Sequence, residues 1–98
     1  MKAYPQEQAR LHAVVEGRVQ GVNFRYYTVR TARRLGVTGW VANRWDGTVE
    51  TVAEGPRAAL ESFLAFLHEG SPAAHVTRVN FRWEQPTGEF ADFTVRYL

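Results

Sequence analysis

The sequence predicts a single α+β domain in which two helices cover one face of an antiparallel sheet. Three observations lead to this fold class. The chain has 98 residues, which suits one domain with one hydrophobic core. Two segments repeat apolar residues every three or four positions, as helices do, and the segments around them alternate apolar and polar residues, as strands do. Between the helical segments, an Asp-Gly turn joins two of the predicted strands into a hairpin.

The first strand and the first helix occupy the N-terminal third of the chain. Apolar residues alternate in "LHAVV" (11–15), which predicts a strand. A coil with two glycines follows at 17–23, and helical periodicity predicts a helix over 24–35. We expect the side-chain oxygen of Asn23 to cap this helix and Gly36 to end it. The predicted apolar stripe of the helix consists of Phe24, Tyr27, Thr31 and Leu35.

The hairpin and the second helix follow. "VTGWVAN" (37–43) predicts the second strand, and "RWDG" (44–47) the turn. "TVETVAEG" (48–55) returns as the third strand. The second helix is predicted over 56–68, where Pro56 suits the first helical turn.

Two further strands complete the predicted domain, at 75–84 and 93–97. The resulting order is strand, helix, strand, strand, helix, strand, plus one more strand, which is the split βαβ or ferredoxin-like arrangement. The handedness rule restricts the first βαβ unit to the right-handed form, and in that unit the first two strands run parallel, with the third between them. Their carboxyl ends then lie at one sheet edge, so the coil at 17–23 and Asn43 should be neighbours.

Composition limits the classes of protein and site. Hydrophobic residues make up 45% and charged residues 22%, and the formal net charge of +2 is too small to indicate nucleic-acid binding. The absence of cysteine excludes thiolate metal sites, and the histidines share no ligand spacing, so we expect no metal and no cofactor. No apolar run suggests a membrane span or a signal peptide. We expect a flexible arm at 1–9 and one cytoplasmic, monomeric domain at 10–98.

The coil before the first helix carries the most specific chemical signal. In "EGRVQGVNFR" (16–25), two glycines lie four residues apart and Arg25 falls in the first helical turn. A helix N-terminus attracts anions, and a preceding glycine coil can point successive N–H groups inward. An arginine adds a planar fork of donors for two phosphate oxygens. By spacing alone, an ordinary glycine loop with a solvated arginine remains the alternative.

Four motifs follow one another along the chain: "GRVQGVNFR" (17–25), "GWVANRWDGTVE" (39–50), "EGP" (54–56) and "FTVRY" (93–97). Together they resemble the acylphosphatase family over roughly residues 10–97. The resemblance implies a metal-free hydrolase that converts acyl phosphates into a carboxylate and inorganic phosphate. It therefore implies a small-molecule acyl phosphate as substrate, with inorganic phosphate or sulfate as product-like anions.

The resemblance also implies which residues act. Arg25 and Asn43 take the catalytic positions, with Arg25 holding the phosphoryl group and Asn43 orienting the attacking water. The phosphate-binding residues that it implies are Arg18, Val19, Gln20, Gly21, Val22, Asn23, Phe24 and Arg25. Trp40 and Trp45 flank Asn43; we interpret them as packing or turn-covering residues, with a place in the wall of the site as the alternative.

Two other functions remain to be weighed. An RNA-binding module with the same strand order would display aromatic residues on the third strand, but 48–55 has none and carries Glu50 and Glu54. A non-catalytic domain that only binds anions is disfavoured because both implied catalytic residues are present. Substrate hydrolysis at catalytic protein concentration distinguishes it from the enzyme.

Overall fold

Five strands and two helices follow one another in the order that the sequence predicts. The computed structural model describes residues 7–98. The first helix and the fourth strand begin and end at the predicted residues, and the other elements differ from their predicted bounds by a few residues. The elements are β1 (Gln8–Arg18), α1 (Phe24–Leu35), β2 (Thr38–Asn43), β3 (Val49–Pro56), α2 (Arg57–Glu69), β4 (His75–Glu84) and β5 (Phe93–Val95).

The sheet confirms the predicted order and directions of the first three strands but is not wholly antiparallel. Its strand order is β4-β1-β3-β2-β5, so β3 lies between the parallel strands β1 and β2. The predicted antiparallel sheet is wrong at one edge, because β5 pairs with β2 in parallel. The segment 85–92 crosses the sheet from the β4 edge to the β2 edge, and the chain then runs in the direction of β2. The result is a mixed sheet.

The core lies between the sheet and the two helices. From β1 it takes Leu11, Ala13 and Val15, as the alternation predicts. In α1 the buried stripe is turned slightly from the predicted one and consists of Phe24, Thr28, Thr31 and Ala32. Thr28 can be buried there because its hydroxyl donates a hydrogen bond to the Phe24 carbonyl over 2.7 Å. From α2 the core takes Leu60, Phe63 and Leu67.

The ends of α1 test two predicted caps. Gly36 adopts a left-handed conformation, φ 74°, and ends the helix as predicted. The prediction that the Asn23 side chain caps the helix is wrong: Asn23 is itself left-handed, φ 63°, and its side chain makes no capping hydrogen bond. A side-chain N-cap needs a residue in the extended region, where the oxygen reaches the first-turn N–H groups. The first turn of α1 is therefore left without a side-chain cap.

Strand β1 starts earlier than the predicted domain boundary. Gln8 and Ala9 pair with Pro56 and Gly55 of β3. Residues 1–6 of the predicted arm lie outside the described residues. No helix among residues 7–98 is long and apolar enough to cross a membrane.

A buried carboxylate anchors the segment that leads into β5. Glu54 accepts hydrogen bonds from the Thr87 and Gly88 N–H groups, each over 2.9 Å, and from Arg10 over 3.0 Å. Burial by itself would raise the pKa of Glu54, but these hydrogen bonds outweigh it and hold the pKa below its ordinary value of 4.5. The carboxylate is thus ionised in the folded protein near neutral pH.

Candidate active site

The coil between β1 and α1 and the end of β2 line one cavity of about 460 Å³. The predicted proximity of the coil and Asn43 is therefore confirmed. Six lining residues come from the coil, the first turn of α1 and the end of β2: Val19, Gly21, Asn23, Phe24, Arg25 and Asn43. The cavity lies where the parallel strands β1 and β2 both end, so the crossover topology creates it.

The backbone of the coil winds tightly because three of its residues have positive φ. Gly17, Gly21 and Asn23 have φ values of 124°, 74° and 63°. Gly17 also sits at a β-bulge against β4, where a Cβ atom would come within 2.1 Å of the His75 carbonyl oxygen. Only glycine fits there. At Gly21 the added Cβ would meet no atom within 4 Å, so conformation alone favours glycine.

Two side chains tie the coil to neighbouring turns. The Gln20 amide donates to the carbonyls of Arg44 and Thr48, over 2.8 and 2.9 Å, and so joins the coil to the β2–β3 hairpin. The Ser71 hydroxyl, which follows α2, donates to the Val22 carbonyl over 2.6 Å. The Gln20 side chain is thus occupied, which leaves its backbone N–H as the group available to a ligand.

The N–H groups of the coil and the first turn of α1 are unused within the protein. Among the described residues, none of the N–H groups of residues 20–26 donates to a protein acceptor. The first turn of α1 also contains no acidic residue. Free N–H groups and the positive end of the helix dipole together favour an anion at this position.

Arg25 borders the cavity without a carboxylate partner. Its side chain is half-buried, and its Cζ atom lies 5.6 Å from the centre of the Tyr97 ring, a cation–π distance. No carboxylate within residues 7–98 forms an ion pair with it. Its five donors are therefore open to an external anion. Arg18, in contrast, is exposed at the end of β1 and does not line the cavity.

Asn43 lines the same cavity and carries an unpaired acceptor. Its Oδ1 atom is buried, and no group in the described part of the chain donates a hydrogen bond to it. A buried polar atom without a partner is unusual and destabilising, so it points to an external donor. Arg25 and Asn43 thus offer complementary chemistry in one cavity: donors from one side chain and a free acceptor from the other.

Sequence reasoning missed several residues around the cavity. Tyr97 and Val95 lie within the quoted motif "FTVRY" but received no role in the site, and Val29 received none either. Ser71 gave no signal at all, because its contact with Val22 spans 49 positions. Such contacts depend on the packing of α2 beside the coil, which periodicity does not report.

The other candidates lie elsewhere. Trp40 is buried on the opposite face of the sheet beside Val52, so it does not wall the cavity. Trp45 is 95% exposed and lines an adjoining cavity of about 260 Å³ with Arg25 and Asn43. On β1, His12 contacts Glu50 over 2.6 Å instead of facing the site. Within residues 7–98 no group of three acidic, histidine or cysteine side chains could hold a metal ion.

Comparison with known proteins supports the predicted resemblance. The family model described as Acylphosphatase matches residues 11–95. The chain is 49% identical to the acylphosphatase of Pelotomaculum thermopropionicum over 92% of its own length and 98% of the relative. It is 50% identical to the acylphosphatase of Thermococcus kodakarensis over 84% of its length and 90% of that relative.

Comparison of structures agrees. The crystal structure of acylphosphatase from Bacillus subtilis superimposes with a TM-score of 0.88 at 39% identity, covering 91% of this chain and 99% of that one. These findings confirm the fold class and the enzyme class that the sequence predicts. The chain therefore belongs to the acylphosphatase family.

Proposed function

We propose that this enzyme hydrolyses the carboxyl–phosphate bond of acyl phosphates without a metal ion, giving a carboxylate and inorganic phosphate. One observation carries the proposal: the free N–H groups of the coil, the unpaired guanidinium of Arg25 and the unpaired carbonyl of Asn43 meet in one cavity. The names of its relatives point to the same reaction. The cytoplasmic location and the monomeric state remain predictions.

The phosphoryl group is held by the coil and Arg25. Val19 and Phe24 have buried side chains, and the amide of Gln20 is bonded to the hairpin, so these residues contribute through their backbone N–H groups. Gly21, Val22 and Asn23 supply the remaining N–H groups of the coil. Arg25 binds two phosphate oxygens with its guanidinium fork. Arg18 lies outside the cavity and adds positive potential at its approach.

The leaving group explains why so few catalytic parts are needed. A departing carboxylate, whose conjugate acid has a pKa of about 4, requires no proton from a general acid. Phosphoryl transfer then depends on positioning and on stabilising the charge of the equatorial oxygens. The coil N–H groups and Arg25 provide that stabilisation.

Asn43 positions the nucleophile. Its Oδ1 atom accepts a hydrogen bond from the attacking water, whose oxygen forms the new bond to phosphorus. The bond between phosphorus and the acyl oxygen breaks, and its electron pair leaves on the carboxylate. The proton lost by the water goes to a phosphate oxygen. An uncharged amide suits this position, because a carboxylate would repel the phosphoryl group.

Steady-state hydrolysis of benzoyl phosphate in EDTA tests the proposal. We expect turnover by the wild type, because no step uses a metal. Arg25→Gln should lower kcat/KM about 10²–10³-fold, which is the usual loss for one preorganised donor. Arg30→Gln is the matched control, since Arg30 is exposed on the same helix and does not line the cavity.

Three outcomes would contradict the proposal. Near-normal turnover by Arg25→Gln would remove the assigned role of this residue. Loss of wild-type activity in EDTA would contradict the metal-free reaction. A wild type that binds phosphate but does not hydrolyse benzoyl phosphate would be a non-catalytic anion-binding domain.

A further inference from the structure

The cavity is much larger than the phosphoryl group that it is proposed to hold. A phosphoryl group has four heavy atoms and fills at most roughly 120 Å³, if each atom takes the volume of one water, about 30 Å³. The cavity has about 460 Å³. Most of this space is therefore available to the other part of a substrate, its acyl group.

The residues that line this space beyond the coil are apolar or aromatic: Tyr26, Val29, Val95 and Tyr97. Val29 lies four residues after Arg25 on α1, so the two side chains share one face of the helix. Val95 of β5 pairs with Val41 of β2, two residues before Asn43. An apolar wall thus starts beside both proposed catalytic residues.

The charged side chains that line the cavity also bear on whether a charged or an uncharged acyl group is preferred. Arg25 is the charged side chain that lines this cavity in the described part of the chain. The proposed reaction uses its donors for the phosphoryl group, which leaves a second anionic group on the substrate without a partner there. The Tyr97 ring, 83% exposed at 5.6 Å from the Arg25 Cζ atom, offers an open flat apolar surface at the entrance.

We propose that the acyl group of the substrate packs against Val29, Val95 and Tyr97, and that the enzyme prefers acyl phosphates with uncharged, apolar acyl groups larger than acetyl. This inference rests on the proposed hydrolase function. Val29 and Val95 determine specificity here; they contact the acyl group but take no part in bond breaking. The competing location is the adjoining cavity of about 260 Å³, where Arg44 and Arg96 would favour an acidic acyl group.

The test compares kcat/KM for acetyl phosphate and butyryl phosphate. Acetate and butyrate are equally good leaving groups, so the ratio reports acyl-group binding. Full burial of a methylene is worth about fourfold, so two partly buried methylenes should raise kcat/KM for butyryl phosphate about tenfold over acetyl phosphate. The variant Val29→Thr/Val95→Thr keeps the shape of the wall but adds two hydroxyls, and should reduce this ratio at least about threefold.

Trp45→Ala is the matched control, because it removes an exposed apolar side chain from the adjoining cavity. We expect it to keep the wild-type ratio. Inhibition of the wild type gives a second measurement that needs no variant: butylphosphonate should inhibit about tenfold more strongly than ethylphosphonate, because these two inhibitors also differ by two methylenes.

The outcomes separate this inference from the function on which it rests. If the wild type hydrolyses none of the acyl phosphates, the proposed function fails. If it hydrolyses acetyl and butyryl phosphate equally well, or if the double threonine variant keeps the ratio, the acyl site is wrong. A preference for succinyl phosphate that disappears in Arg96→Gln would place the acyl group in the adjoining cavity instead.

Discussion

Replacing Asn43 by alanine separates a catalytic role from a structural one. The change removes the amide whose Oδ1 atom is buried without a protein partner among the described residues. An unpaired buried carbonyl costs about 1–3 kcal/mol, whereas a buried amide with its hydrogen bonds made contributes to stability. The sign of the stability change therefore shows which kind of residue Asn43 is.

The structure sets the expected magnitudes. Asn43 makes no hydrogen bond through Oδ1 that the variant could lose, and its side chain is only half-buried. We expect the free energy of unfolding to change by less than about 1 kcal/mol, toward greater stability. Loss of the positioned water should lower kcat about 10²-fold, while the inhibition constant for phosphate stays close to that of the wild type.

Urea denaturation and benzoyl phosphate kinetics measure the two effects on one preparation. Thr51→Val is the matched control: its buried hydroxyl donates to the Trp40 carbonyl over 2.7 Å, so its loss should cost about 1 kcal/mol with activity retained. A loss of about 2 kcal/mol or more in Asn43→Ala would show that the Asn43 side chain supports the fold. That result, or an equal loss of phosphate affinity, would contradict the proposed role, because Asn43 would then belong to the anion site or to the fold.

Three further predictions concern the supports of the site. Gly17→Ala should lower the free energy of unfolding, measured by urea titration, by about 3 kcal/mol, because its new Cβ atom meets a β4 carbonyl at a positive φ. Gly47→Ala is the control: its Cβ atom lies in open space at φ 90°, so the free energy of unfolding should fall by only about 1 kcal/mol. Ser71→Ala should raise the inhibition constant for phosphate about tenfold by releasing the coil, and an unchanged constant would contradict this. Because the folded-state pKa of Glu54 is lowered, its ionised form stabilises the fold above about pH 4.5, and this contribution is lost as pH falls through the folded value. Glu54→Gln should therefore cost about 2 kcal/mol at pH 7 and much less at pH 3, and equal losses at both pH values would contradict the role of its charge.

The periodicity of apolar residues and the crossover rule for βαβ units predicted much of the fold. They also predicted that the coil and Asn43 lie close together. The helical spacing of apolar residues located α1, and the parallel direction of β1 and β2 brought residues distant in sequence to one sheet edge. The side-chain cap at Asn23 was predicted from residue type, but the tight coil imposes a left-handed backbone that this residue type also tolerates. Cap preference and coil geometry compete at that position, and only the second depends on tertiary structure.

The remaining features depend on contacts between distant segments. The parallel pairing of β5 with β2 follows from the path of segment 85–92, which Glu54 anchors from the middle of the sheet. The same path places Val95 and Tyr97 beside the site. Neither the anchor nor the path has a periodic signature in the sequence.

We propose that the coil and Arg25 form a preformed site for a tetrahedral anion. A crystal structure determined with sulfate or phosphate in the solution tests it most directly. We expect an anion at the start of α1, with coil N–H groups and both outer nitrogens of Arg25 at hydrogen-bond distances of about 2.9 Å. An empty coil, with Arg25 turned toward a surface carboxylate, would contradict it.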